Sequence, residues 1–427
     1  MDKFIVKGPC ALKGEIKSSA SKNAALPLLF ATLLSDKTSE LKNVPVLQDM
    51  ESTKRMLLHF GCKVQQNYRE NFGSDWTIDT SAMQSQLAPY DLVRKMRASI
   101  LCMGPLLAAH GIAKVSMPGG CAIGSRPIDL HLQAFKKMGA VLEQKSGYLQ
   151  ATCASGNKLQ GAHIVFPKVS VGATENILMA AVLAKGSSRL ENVAREPEIT
   201  ALAKALQQMG AKIQGLGTSC LEVEGVETLN GMNFTIPADR IEIGTYLIGA
   251  QMSGGQIKIS PVNMEDIALL CQSLEETGAK IKVEGDSVTL TASEKIKAVN
   301  QTTAPFPAFA TDLQAQWVAL MTQAEGDSVV TENIFENRFM HVPELKRMGA
   351  QLECKGSSVY VKGKAGSLQG APVMATDLRA SASLVLAGLV AKGETEVKRI
   401  YHLDRGYEFM ELKLRALGAN VERAVDL

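Results

Sequence analysis

Six copies of one short phrase constrain what this chain can fold into. They read LLHFGCKV, FKKMGAVL, LQQMGAKI, LEETGAKI, LKRMGAQL and LRALGANV. Their glycines, Gly61, Gly139, Gly210, Gly278, Gly349 and Gly418, recur at intervals of 68 to 78 residues. Each phrase reads as the end of an amphipathic helix, a glycine in its C-terminal cap, and entry into a strand. A second phrase runs in the same register, as in NILMAAVLAKGSSRLENV and SLVLAGLVAKGETEVKRI. Its helix has no polar face over the middle turns, which predicts burial on most sides. The expected repeat is strand, buried helix, strand, amphipathic helix, strand, strand. A period of about 70 residues is too long for an ankyrin or leucine-rich solenoid. It suits a small α/β unit with its own sheet.

At 427 residues the chain exceeds the ~250–300 that a single core supports. Six repeats divide naturally into three and three. A formal charge of +3 argues for neither a nucleic-acid nor a membrane partner. Lys3 and Lys7 interrupt the N-terminal segment before any signal-like apolar run develops. No apolar stretch approaches the ~18–20 residues of a membrane span. The eight cysteines lie far apart with no CxxC pair, which suits reduced thiols in a cytoplasm and no zinc site. No metal or cofactor is expected, and the oligomeric state is open.

The residues that open each buried helix carry the chemistry. Lys22 and Asn23 stand before the first, Arg97 before the second, and Ser170, Val171 and Thr174 around the third. Arg240 and Glu242 precede the fourth, Asp312 the fifth, and Asp377 with Arg379 the sixth. Backbone N–H groups and partial positive charge at such helix starts favour anions. Plain N-capping is the alternative for the Ser, Asp and Thr residues. It does not explain Lys22, Arg97 and Arg379, which are unfavourable at a positive helix end unless an anion binds there.

The segment PGGCAIGSRPIDLHL, residues 118–132, is glycine-rich enough to be a loop that closes on a ligand. Cys121 lies on it, five residues before Arg126, whose guanidinium suits phosphate or carboxylate. A thiol on such a loop beside a cation is a candidate acid or nucleophile. Asp129 reads as the N-cap of the following helix, and His131 as a surface residue or a ligand contact. In PFPAFATDLQAQW, Asp312 is either an N-cap or a general base. Arg338 and Arg405 hold the position in their repeats that Arg126 holds in the second, which suggests an anion site assembled by symmetry. Salt bridges to Asp404, Glu336 or Glu408 are the alternative. His59, His110, His163 and His402 are isolated and read as structural. There is no GxxxxGK[ST] loop.

The motifs SKNAALPLL, YDLVRKMRAS, PGGCAIGSRPIDLHL, KVSVGATENILMAA, AREPEI, PAFATDLQAQ, IFENRFMHVPEL, TDLRASASLVLAGL and YHLDRGYE resemble those of the UDP-N-acetylglucosamine 1-carboxyvinyltransferase family. The resemblance spans essentially the whole chain. It implies a two-domain inside-out α/β barrel of six βαβαββ repeats, three per domain, with the N-terminal strand paired in the C-terminal domain. Residues 22–229 would form one domain, carrying the Cys loop 118–128. Residues 1–21 with 230–427 would form the other, with the active site in the cleft between them. The implied reaction moves enolpyruvate from phosphoenolpyruvate to the 3-hydroxyl of UDP-N-acetylglucosamine through a tetrahedral ketal, in bacterial peptidoglycan synthesis. Cys121 would protonate the enol, and Asp312 would take the hydroxyl proton. Lys22, Asn23, Arg126, Arg338 and Arg405 would hold phosphoenolpyruvate, with Lys22 and Arg405 also serving catalysis. Arg97, Arg126, Pro127, Ile128, Asp129, Leu130, Lys168, Val169, Ser170, Val171, Asp312 and Ile334 would contact the sugar nucleotide, and Arg379 would secure closure. The same exposed thiol implies alkylation by fosfomycin and a covalent pyruvate adduct.

Two positions depart from the family pattern. Ser19-Ala20-Ser21 lacks the usual glycine before Lys22, and Ala310 replaces a proline. The rival readings are a shikimate-3-phosphate enolpyruvyl transferase, a non-catalytic UDP-sugar-binding paralogue, and a nucleic-acid-binding protein. The first should show a Ser-Lys-Ser entry where Lys22-Asn23 stands. The last needs a basic stripe with stacking aromatics, whereas two Trp and seven Tyr are scattered. The segment 65–77 is expected to be a surface hairpin.

Overall fold

Every glycine of the repeated phrase lies in the left-handed region, with φ of 98° at Gly61, 85° at Gly139, 108° at Gly210, 103° at Gly278, 97° at Gly349 and 88° at Gly418. Side-chain-bearing residues resist that conformation, so the six phrases mark six helix stops. The structure, a computed structural model, describes residues 2–94, 96–117, 128–154 and 158–425. It contains six four-stranded sheets. In each, one parallel pair continues into two antiparallel pairings. Strand Leu87–Ala88, for example, runs parallel to Ile112–Ser116, which pairs antiparallel with Tyr148–Cys153, itself antiparallel to Ala140–Lys145.

The chain divides into two compact units. One holds the residues up to Ser19 together with those from Ala238 onward; the other begins at Ala20 and ends at Pro237. Each has its own apolar core and three sheets. The second boundary falls after Pro237 rather than near 230, because strand Asn233–Thr235 pairs with Ser39–Val44 in the sheet of the first repeat. The opening strand of the first repeat, Lys13–Lys17, pairs instead with Gln256–Ser260 of the fourth. Strand Asp2–Gly8 lies inside the last sheet, between Gly393–Lys398 and Asn420–Val425.

The helices beginning at Lys22, Met103, Val171, Arg240, Gln314 and Leu378 are the buried ones. Arg240–Ser253, Gln314–Met321 and Leu378–Val390 pack on one another in one unit. Each fully buried Leu, Ile or Val in them contributes about 1.5–3 kcal/mol. The second and fifth begin with 3-10 turns, Arg97–Cys102 and Thr311–Leu313. Strands Lys63–Tyr68 and Ser74–Asp79 form the expected hairpin, yet its inner face belongs to the core, since Trp76 is buried there.

Both serines of Ser19-Ala20-Ser21 are engaged. Ser21 caps the helix Lys22–Ala31 by accepting from the Ala24 amide. Ser19 sits in a buried ionic network. Its hydroxyl accepts from Lys413 Nζ at 2.6 Å and donates to Glu408 Oε2 at 2.6 Å, while its amide donates to Glu242 Oε2 at 2.6 Å. Lys413 also reaches Glu242 Oε1 at 2.7 Å. Removing one member of a buried pair strands the other charge. Lys413→Ala is therefore expected to lower the unfolding free energy by about 3–5 kcal/mol, read as a drop in the urea midpoint.

Candidate active site

In the unit holding residues 238–425, three side chains meet that the sequence keeps far apart. The 3-10 turn Thr311–Leu313 presents Asp312, and both carboxylate oxygens are gripped by arginine. Arg338 Nη2 lies 2.6 Å from Oδ1, and Arg379 Nη2 lies 2.8 Å from Oδ2. Both guanidinium groups are buried, with side chains 5% and 3% exposed, whereas Asp312 keeps 24% of its side-chain surface. Burial acts to raise the Asp312 pKa, but Arg379 and Arg338 outweigh it and hold the carboxyl well below the usual range. It is firmly ionised, and correspondingly a weak base in this arrangement. Asp312 is not an N-cap: the turn's cap position is Ala310, whose φ of −69° is the angle a proline ring imposes.

The two arginines are themselves braced. Arg338 Nη1 donates to Thr311 Oγ1 at 2.7 Å, and Thr311 donates to Glu332 Oε2 at 2.7 Å. The other oxygen of Glu332 accepts from the amides of Ile334 and Phe335, which places Ile334 beside this group. Arg379 lies in the first turn of the helix Leu378–Val390, whose cap is Asp377, accepting from the amides of Arg379 and Ala380. The guanidinium packs over the Tyr407 ring, 5.4 Å from its centroid. Among the described residues, its Nε and Nη1 are buried without hydrogen-bond partners, an uncommon condition for buried donors. Arg405 ends the 3-10 helix Ile400–Arg405. Its neighbour Asp404 is committed to Arg423, at 2.6 Å, and Glu408 to Ser19. His341 is buried, and desolvation brings its pKa down to about 4.

In the unit of residues 20–237, Lys22 and Asn23 open the first buried helix. Lys22 Nζ lies 3.2 Å from Asp49, a buried carboxylate in the first turn of helix Gln48–Phe60. Arg97 starts the 3-10 turn of the second repeat. Ile128 precedes the helix Asp129–Lys137, whose first residues are Asp129 and Leu130. Asp129 makes no cap: it lies inside the helix, and the cap position is Ile128, which has no side-chain acceptor. Lys168 and Val169 lead to Ser170, the true cap of the helix Val171–Ala181, accepting from the Ala173 amide. Thr174 instead accepts from the Ala194 amide.

These three helix starts are tied together by Asn176. Its Oδ1 accepts from the Gly104 amide at 2.7 Å, which fixes the amide's orientation. Its Nδ2 then donates to the Ile100 carbonyl and to His131 Nδ1, each at 3.0 Å. Gly104 is required for this contact, because a Cβ there would stand 2.3 Å from the Asn176 carbonyl oxygen. His131 is thus neither a surface residue nor an isolated one, and its proton sits on Nε2. Cys121, Arg126 and Pro127 lie outside the described residues. Among the described residues no group of three or more His, Cys, Asp or Glu could hold a metal, the cysteines are free, and no helix is long and apolar enough to cross a membrane. Sequence reasoning missed Asp49, Asn176, Glu332 and Tyr407, whose roles arise from tertiary neighbours.

Burial, with Arg97 adding to it, lowers the His131 pKa to about 4. The unfolded chain holds that proton with the ordinary pKa of about 6.5. His131 therefore contributes stability in full above about pH 6.5, and that contribution is lost as pH falls through 4. In an NMR titration the His131 ring resonances should stay constant down to about pH 5, where an exposed histidine has already titrated.

The comparisons with known proteins place this geometry. Residues 6–414 match the family model described as EPSP synthase (3-phosphoshikimate 1-carboxyvinyltransferase). The chain is 50% identical over 424 residues, 99% of each chain, to a protein of Myxococcus xanthus named UDP-N-acetylglucosamine 1-carboxyvinyltransferase. It is 52% identical, over 99% of each chain, to one of the same name from Enterobacter cloacae. Among solved structures, the enolpyruvyl transferase NikO from Streptomyces tendae superposes with a TM-score of 0.87 at 22% identity, over 100% of this chain and 99% of that one. EPSP synthase from Acinetobacter baumannii gives 0.74 at 18%, over 100% of both. Those two likenesses establish the enolpyruvyl-transferase fold, and the half-identical relatives narrow the family. The chain is a transferase that belongs to the UDP-N-acetylglucosamine 1-carboxyvinyltransferase family.

Proposed function

We propose that the chain transfers the enolpyruvyl group of phosphoenolpyruvate to the 3-hydroxyl of UDP-N-acetylglucosamine, releasing inorganic phosphate. The observation that carries this reading is the near-full-length match to relatives of that name. The grip of Arg338 and Arg379 on Asp312 supplies the chemistry. The reading assigns the product to peptidoglycan synthesis in the cytoplasm, and through the cell wall to cell shape and division.

In the addition step the sugar hydroxyl oxygen bonds to C2 of phosphoenolpyruvate while C3 gains a proton from the Cys121 thiol. Asp312 accepts the hydroxyl proton. An unperturbed thiol with a pKa of ~8.5 is mostly protonated at neutral pH and can act as that acid. Elimination then breaks the C2–O bond to phosphate, which leaves with the proton that Asp312 held, and returns the C3 proton to sulfur, restoring the double bond as an enol ether. Lys22, Asn23, Arg126, Arg338 and Arg405 hold the phosphate and carboxylate. Arg97, Arg126 to Leu130, Lys168 to Val171, Asp312 and Ile334 take the sugar nucleotide. Arg379 secures the closed state. Cys121 is the atom that fosfomycin alkylates and that carries a pyruvate adduct.

The ionic grip gives this scheme a timing. With both arginines on it, Asp312 is ionised but poorly basic. A bound phosphoenolpyruvate competes for Arg338, and loosening that one contact returns basicity to the carboxylate when the hydroxyl proton must leave, while Arg379 keeps it in place. The test is phosphate release from phosphoenolpyruvate with UDP-N-acetylglucosamine as acceptor. Wild type is expected to turn over, with Cys121→Ala and Asp312→Ala each lowering kcat by about 10²–10⁴-fold while remaining folded, Asp312→Ala at a lower thermal midpoint because it strands two buried guanidinium groups. Full turnover of Cys121→Ala removes the thiol as acid. Release with shikimate-3-phosphate alone, or UDP-sugar binding without turnover, overturns the assignment.

A further inference from the structure

Tyr407, two residues after Arg405 in the YHLDRGYE motif, stands beside the Asp312 group. Its side chain is buried, with the ring beneath the Arg379 guanidinium, 5.4 Å from ring centroid to the central carbon. Its hydroxyl is anchored by Thr245 and Gln316 and also lies near enough to Arg379 to feel its donors. Thr245 gives its own proton to the Ile241 carbonyl at 2.8 Å, so at 2.9 Å it accepts from the Tyr407 hydroxyl. Gln316 closes the bracket. Its Nε2 lies 3.1 Å from the Tyr407 oxygen, 3.0 Å from Thr245 Oγ1 and 3.0 Å from the backbone carbonyl of Asp312 itself.

The backbone carbonyl can only accept, so the Gln316 amide cannot be flipped. Its Oε1 is left buried without a partner among the described residues. An orphaned buried amide oxygen costs about 1–3 kcal/mol. An apolar residue would avoid that cost, so stability alone does not account for Gln316. What the amide does provide is a direct link from the phenol to the backbone that carries Asp312.

We infer that Tyr407, held by Thr245 and Gln316, is a positioning residue that fixes Arg379 against Asp312. The inference rests on the proposed role of Asp312 as proton acceptor. Ring stacking sets the plane of the guanidinium, and cation–π attraction is strengthened where water is excluded. The phenol's hydrogen bonds stop the ring from turning. Asp312 and Arg379 thereby keep the spacing proton transfer needs, where a displacement of about 1 Å costs on the order of 100-fold in rate. Charged groups facing the bracket are Asp312, Arg338 and Asp239, the last capping helix Arg240–Ser253.

The experiment measures kcat and KM for phosphate release by the full chain and by Tyr407→Leu, Tyr407→Phe and Thr245→Val, with thermal midpoints alongside. Tyr407→Leu is expected to lose about 100-fold in kcat, with KM for UDP-N-acetylglucosamine within about threefold. Tyr407→Phe keeps the ring and should restore most of that loss, remaining severalfold below wild type, as should Thr245→Val. A folded Tyr407→Leu with kcat within threefold of wild type overturns the inference, as does a loss confined to KM for the sugar nucleotide. Should Tyr407→Leu fail to fold, wild-type kcat in both Tyr407→Phe and Thr245→Val overturns it. Failure of the underlying reading looks different: an inactive wild type, or an Asp312→Ala that turns over at full rate.

Discussion

A helix without a polar face cannot meet water on any side, and this single constraint shapes the chain. A repeat of about 70 residues has one sheet to cover its buried helix, which leaves the opposite side bare. Within residues 238–425 the remedy is mutual: Arg240–Ser253, Gln314–Met321 and Leu378–Val390 cover one another. Three repeats are needed for this, and so each unit contains three sheets. Packing that suppresses charge along the helix sides leaves the helix starts as the places for polar chemistry. Lys22, Arg97, Ser170, Asp312 and Arg379 all stand there.

The Asp312 group shows what those starts can hold. Two buried guanidinium groups face one carboxylate, with Glu332 behind Thr311 and Asp239 near enough to act on Arg379. Among the described residues the buried Nε and Nη1 of Arg379 have no hydrogen-bond partner, which leaves donors for an anionic visitor. Around this core, Glu332, Thr311, Tyr407 and Gln316 form a rigid surround, whose hydrogen bonds fix the angles at which the charges meet.

Much of the fold was legible because it repeats. A glycine needed at a left-handed stop leaves a mark at a fixed interval, and six marks gave the repeat, the helix ends and the hairpin of 65–77. Strand exchange was not legible. Nothing in Lys13–Lys17 says that its partner is Gln256–Ser260, because pairing across 243 residues leaves no local trace. The site divides in the same way. Lys22, Arg97, Asp312, Arg338, Arg379 and Arg405 were readable as charges at helix starts or after strands. Their partners were not, since Arg379 meets Asp312 across 67 residues of sequence. The surface alternative for His131 fails because its environment is supplied by Asn176, 45 residues on. Asp129 was misread because an acidic residue in a first turn resembles a cap without being one.

The strand Asp2–Gly8 is flanked by Gly393–Lys398 and Asn420–Val425, and this orders events on the ribosome. It is made before either partner and must wait, unmated, until both have followed. Residues 20–237, by contrast, emerge with all three of their sheets already encoded and can condense during translation. Strand Asp2–Gly8 thus ends as the latch of a unit made mostly after it, and a nascent chain stalled short of Asn420 cannot fasten it.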